Sequence, residues 1–332
     1  MASFVKKIIY YGTTTIILSF LAYMVFPPPN YWGNQDYTSK IEKFRLGKYN
    51  TAFIGSSRML TGFSPFLFDS LMNTNTTEHT KSFNLATPGS WASETNYLFE
   101  QFLGDTVSSQ VKFVFVEFQN VMAIRPDRLN DPKSRYYQNY NNLQFITAYS
   151  FEEALKDYTK IPKSLYVASS HYLAAIQNYL NIGRFNTNSS GLDLLAHQNT
   201  DQRGFLSLSK SWGNRSSITR QQMESYISNI NLHYKSDNSN PNTVFLSKCL
   251  SLINKSKKRG IKVIYVLPPV KITTEMISVF NALPEMNKVS ICDPNEYPEI
   301  YKLDHWADQT HLKLSGAQIL TKSLVDKTMP LK

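Results

Sequence analysis

The chain of 332 residues has only two cysteines, Cys249 and Cys292, and neither belongs to a CxxC pair or a Cys/His cluster. That argues against a structural zinc site. Two readings of the cysteines remain: one disulfide in an oxidising compartment, or two buried thiols packing as small hydrophobes. Charge is also sparse, with 18% charged against 42% hydrophobic residues, which excludes a disordered chain. No repeat of the length used by solenoids or propellers is present. The net charge of +10 suits an anionic membrane surface or an anionic polymer, but its basic residues are scattered. The one dense cluster, Lys255, Lys257, Lys258 and Arg259, falls where a helix is expected to end and complements its dipole. No nucleic-acid binding is expected. Beyond residue 26 no apolar run is long enough to cross a membrane.

Before residue 26 there is such a run. Ile8 to Phe26 carries no charge, follows Lys6 and Lys7, and is closed by Pro27, Pro28 and Pro29. Its length approaches the ~20 apolar residues that span a bilayer. The positive-inside rule holds the two lysines in the cytoplasm and carries the rest of the chain across. A cleaved signal peptide is the alternative, but the run ends without a small-x-small site. The expected organisation is a cytoplasmic tip and signal anchor over 1–29, a linker over 30–48, and one exported domain over 49–332. The main domain then lies in the periplasm or outside the cell.

Within 49–332, short apolar strands alternate with helical stretches. Strands are expected at 50–54, 82–85, 111–118, 261–267 and 289–292. Helices are expected after Ser64-Pro65, after Pro241 (with Phe245, Cys249 and Leu252 on one face) and from Ser315 (with Ile319, Leu320 and Leu324 inward). The alternation predicts an α/β fold with a parallel sheet, whose functional loops leave the carboxyl ends of the strands. Residues 125–240 interrupt the rhythm and read as a helical insertion. There Leu165, Ala168, Tyr172, Ile176 and Leu180 follow helical spacing, and Thr219 with Gln222 resembles a capping box. Tyr136, Tyr137 and Tyr140 are candidates to line a groove for sugars.

Several strand-end loops hold residues with chemical use. Gly55-Ser56-Ser57 follows the first strand, and a serine in a tight strand-to-helix turn is well placed as a nucleophile. Asp308-Gln309-Thr310-His311 supplies a histidine base and a carboxylate to orient it. Gly89 and Asn120, after the second and third strands, offer a backbone N–H and an amide for an oxyanion, as does the Ser57 N–H. Arg58 suits an anionic substrate group, and a structural ion pair equally. Glu117 reads as a buried hydrogen-bonding residue. Asp304-His305 is a second Asp/His pair, but adjacent side chains diverge. Taken singly, each of these has a plainer reading as a turn, cap or polar loop.

Their order along the chain resembles the blocks of the SGNH (GDSL-like) hydrolase superfamily. Gly55-Ser56-Ser57 resembles the GDS block, Gly89 and Asn120 the second and third, and Asp308 to His311 the DxxH block, followed by Leu312 and Gly316. The resemblance covers about 49–124 and 260–325. It implies a three-layer α/β/α, flavodoxin-like fold with a Ser57, His311, Asp308 triad, an oxyanion hole from Ser57, Gly89 and Asn120, and no metal or organic cofactor. The GSSR form on an N-terminal anchor is similar to the branch with D-alanyl-lipoteichoic acid transfer and alginate O-acetylation proteins. That similarity implies an esterase or O-acyltransferase acting on a glycan or envelope polymer, alongside a membrane-bound O-acyltransferase. Ser56 stands where the family has Asp, and Phe118 where it has Gly. These departures keep a second expectation open, a non-catalytic subunit that binds polymer or scaffolds a membrane complex.

Overall fold

The computed structural model describes residues 2–25, 35–77, 79–121, 137, 139–179, 202–209, 216–234 and 240–329. Along the chain the elements are α1 (Ala2–Val25), α2 (Gln35–Gly47), β1 (Thr51–Ile54), α3 (Ser57–Gly62), α4 (Pro65–Asn75), β2 (Ser82–Asn84), α5 (Ala92–Gly104) and β3 (Phe113–Glu117). They continue with α6 (Tyr140–Lys156), α7 (Ile161–Tyr179), α8 (Arg220–Tyr234), α9 (Thr243–Lys257), β4 (Lys262–Leu267), α10 (Thr274–Ala282), β5 (Lys288–Ser290) and α11 (Leu314–Thr328).

The chain divides into two compact units. One comprises Met1–Thr38 and Ala123–Asp193, and the other Ser39–Met122 and Leu194–Lys332.

The second unit is α/β. Its five strands are all parallel, in the order β2-β1-β3-β4-β5. Each expected strand is present within a residue or two. β1 to β4 are buried along nearly their whole length, as expected of a parallel sheet covered by helices, while the edge strand β5 is buried only at Val289. Phe53, Phe63, Phe68 and Phe115 form one aromatic cluster at centroid separations of 5.2–6.1 Å. Phe118 stacks on Phe245 at 5.2 Å and meets Phe280 and Tyr265. A large apolar side chain at 118 therefore fills core that a glycine would leave empty.

Residues 30–48, read as a linker, contain α2. Tyr37, Ile41 and Phe44 recur at i, i+4 and i+7, and all three are buried. The interval expected as one insertion, 125–240, falls in both units: α6 and α7 belong to the first, and α8 to the second. The α8 capping box forms, with Thr219 N–H donating to Gln222 Oε1 at 2.9 Å and Gln222 N–H to Thr219 Oγ1 at 3.3 Å. Of the three tyrosines, Tyr137 is buried and Tyr140 exposed, while Tyr136 lies outside the described residues.

The first unit contains α1. Ser3–Leu21 is long and apolar enough to cross a membrane, and none of it is buried in the protein.

Cys249 and Cys292 are both free and buried. Burial pushes each thiol up to about 12. Thiolate is the reactive form, so neither should react with a disulfide reagent at pH 8 in the folded protein. Both should react after denaturation, which a timed thiol titration checks.

Candidate active site

The sheet order puts β1 between β2 and β3, so the loops leaving the three parallel strands emerge side by side. Ser56 caps α3 and Ser57 is its first residue. The turn is tight because Gly55 leaves no room for a side chain. A Cβ there would lie 2.6 Å from Glu117 Oε2 and 2.7 Å from Met59 Cβ. The loop after β2 is tied to the same turn by the Thr87 N–H, which donates to the Gly55 carbonyl at 2.9 Å.

Ser57, His311 and Asp308 form one hydrogen-bonded line. His311 Nε2 is 2.9 Å from Ser57 Oγ, and His311 Nδ1 is 2.8 Å and 2.9 Å from the two Asp308 oxygens. An ionised carboxylate only accepts, so Nδ1 carries the proton and Nε2 accepts from the serine hydroxyl. His311 and Asp308 are buried, whereas Ser57 is half-buried. Burial alone would raise the Asp308 carboxyl. The bonds from His311 and from the Thr310 N–H, with the histidine's charge, outweigh it and hold the carboxyl below the usual range. Asp308 Oδ1 also accepts from the Thr310 N–H at 2.8 Å, the Thr310 hydroxyl at 3.0 Å and the His311 N–H at 3.1 Å. Four residues thus fold around one carboxylate. The segment is closed by the Ala307 N–H on the His311 carbonyl at 2.9 Å and by the Trp306–Leu312 bridge. Gly316 lets α11 start against it, since a Cβ there would sit 2.6 Å from the His305 carbonyl oxygen.

Glu117, at the end of β3, holds the serine turn from below. Its Oε2 accepts the Ser56 N–H at 2.6 Å, and its Oε1 accepts Ser56 Oγ at 3.0 Å and Arg58 Nε at 2.8 Å. Arg58, expected to meet a substrate anion or to form an ion pair, forms the ion pair. It also donates to Gln119 Oε1 at 2.7 Å. Ser56 donates to Glu117 and accepts from the Arg58 N–H at 3.3 Å, so a serine does the turn-fixing here.

Gly89 is exposed, with φ at 68°, a conformation that suits glycine. Asn120 has its Oδ1 engaged by the Thr273 hydroxyl at 3.2 Å. Because Thr273 Oγ1 accepts the Met276 N–H at 3.2 Å, its proton goes to Asn120, and the Asn120 NH2 points elsewhere. Asp304 is exposed, and His305 Nδ1 meets Ser315 Oγ at 2.9 Å, so this second pair is engaged away from Ser57.

A cavity of about 270 Å3 with mixed polar and apolar walls lies beside Gln309, bounded by Ile218, Gln221, Ser225, Tyr226 and Lys271. Thr273, Gln119 and Thr310 were not singled out in the sequence. Only Thr310 had a local signal, its place inside the Asp308–His311 block. Among the described residues no three His, Cys, Asp or Glu side chains stand together in a way that could hold a metal ion.

Compared with known families and with curated proteins, the chain matches no family model and no curated protein.

Proposed function

We propose that this chain is a membrane-anchored, extracytoplasmic serine esterase or O-acyltransferase that acts on acyl esters of a cell-envelope glycan or polymer. The observation that carries the reading is the hydrogen-bonded line from Asp308 through His311 to Ser57. The sheet order 2-1-3-4-5 is that of flavodoxin-like folds, which supports the likeness to SGNH hydrolases.

In this reading Ser57 Oγ attacks the acyl carbonyl as its proton passes to His311 Nε2. The ionised Asp308 stabilises the resulting imidazolium and keeps the ring in place. The Ser57 and Gly89 N–H groups and the Asn120 amide receive the oxyanion. His311 then returns the proton to the leaving oxygen, and water or an acceptor hydroxyl repeats the attack in reverse. α1 serves as the anchor, and a membrane-bound O-acyltransferase is the expected partner. No metal or organic cofactor enters the steps.

The test is release of p-nitrophenol from p-nitrophenyl acetate by the full-length protein in detergent. Turnover above that of a Ser57→Ala control supports the reading. Equal release by both overturns it.

Thr273→Val should leave the protein folded but lower kcat about tenfold, less than the ~10^2 seen when an oxyanion donor is removed outright. KM should hold, since Thr273 acts by fixing the Asn120 amide. A kcat/KM series with Asn120→Ala, the two changes being non-additive, checks this.

A further inference from the structure

We propose that the α6–α7 hairpin lies in the membrane interface and adds a second, non-spanning attachment beside α1. The proposal takes α1 as the membrane span.

The outward side of α7 is apolar. Ile161, Leu165, Tyr166, Tyr172, Leu173 and Ile176 are all exposed, Leu173 to 58%. At 100° per residue they fall within an arc of about 140°. Between residues 161 and 176 the only other residues in that arc are Pro162 and Ser169, so over this length it contains no charge. The opposite side is buried, and there Ser164, Val167, Ala168, His171, Ala174 and Ala175 face inward. α7 therefore has two apolar faces, one spent on packing with α6 and one bare to solvent. The bare face runs about 23 Å along the helix at 1.5 Å per residue. Phe151 and Leu155 near the end of α6, and Tyr158 in the hairpin turn, are exposed too, Tyr158 to 71%.

Soluble proteins rarely leave a continuous apolar surface of this kind uncovered. Two observations name lipid as the cover. α1, unburied over Ser3–Leu21, contacts α7 within the same unit, so α7 lies against the helix taken as the membrane span. The face also carries tyrosines among aliphatic side chains, the mixture that favours the headgroup boundary. Charge is not the attraction: at the turn Lys156 pairs with Glu152 and Glu153, and Lys160 with Asp157. Binding should therefore need no anionic lipid and should persist at high salt.

The test uses the full-length protein in phosphatidylcholine vesicles, with an NBD label on a single introduced cysteine, the native thiols being buried. Leu165→Cys and Leu173→Cys report the face, Leu18→Cys reports α1, and Lys257→Cys on α9 is the aqueous control. The expected result is blue-shifted emission at Leu18, Leu165 and Leu173, mostly lost when doxyl-labelled lipid is added, with Lys257 unchanged. Labels at Leu165 and Leu173 that behave like Lys257 while Leu18 is quenched overturn the proposal and leave α1 as the anchor. Blue-shifted but unquenched labels overturn it in favour of a protein covering, a second copy or a partner. A Leu18 label that stays in water overturns both attachments.

Discussion

Ser57→Ala should lower ester turnover by about 10^4-fold or more while leaving thermal stability within about 0.5 kcal/mol of wild type. The size follows from how a relay works. In the proposed mechanism the hydroxyl is the bond-forming group and the proton donor to His311, so removing the oxygen removes the covalent route entirely. What survives is the weak acceleration that oxyanion donors give to direct attack by water. Stability is spared because Ser57 is half-buried and, among the described residues, its hydroxyl bonds to His311 alone. His311→Ala should fall to a similar rate, and the double variant should be no slower than either, because the two act as one unit. The acid limb of the pH profile should not come from Asp308. Its depressed carboxyl stays ionised down through the ordinary carboxylate range, so its contribution is present above the unfolded carboxyl value of about 3.9 and is lost only as pH falls through its lower folded value.

Glu117→Ala should be the most damaging change that leaves the relay atoms untouched. It strips the acceptor from the Ser56 N–H, the Ser56 hydroxyl and the Arg58 guanidinium at once. Breaking a buried ion pair from one side costs about 3 kcal/mol, because the partner charge stays behind. Arg58 is only 16% exposed and keeps Gln119 alone, so little solvent reaches it. At roughly 2–4 °C per kcal/mol for a unit of this size, the melting temperature should fall by about 6–12 °C. Below that temperature kcat should drop about 10^2-fold with KM nearly unchanged, since a serine turn displaced by about 1 Å misses the attack line. Glu117→Gln keeps the shape and one acceptor oxygen, and should recover most of the stability. A thermal melt paired with kinetics at low temperature separates the two effects.

Much of this site was legible because its parts are local. Runs such as NTAFI and VKFVFVEF announce buried strands, and each is followed by a residue with a chemical use. Asp308 and His311 could be paired on paper because they lie three positions apart on one loop. The engagement of Ser57 with His311, 254 positions apart, came only from the order of the blocks. What stayed hidden depends on partners distant in sequence. Thr273 and Asn120 are 153 residues apart, and nothing in either neighbourhood names the other. Arg58 carried two readings until Glu117, on another strand, filled its guanidinium. The stretch holding α2 reads as a linker although Tyr37, Ile41 and Phe44 have helical spacing, because a short polar helix gives a weak periodic signal. The spacing of Leu165, Tyr172 and Ile176 correctly indicated a helix but not which side of it the protein covers, and all three face outward. Ala168 from the same series is buried, and Leu180 lies outside the described residues.

The most direct test of the central claim is covalent labelling of the full-length protein with a fluorophosphonate probe, with the adduct mapped by peptide mass spectrometry. The account predicts one adduct, on Ser57, absent in Ser57→Ala and in His311→Ala. A folded wild-type protein that takes no label, or one labelled at another serine, would contradict it.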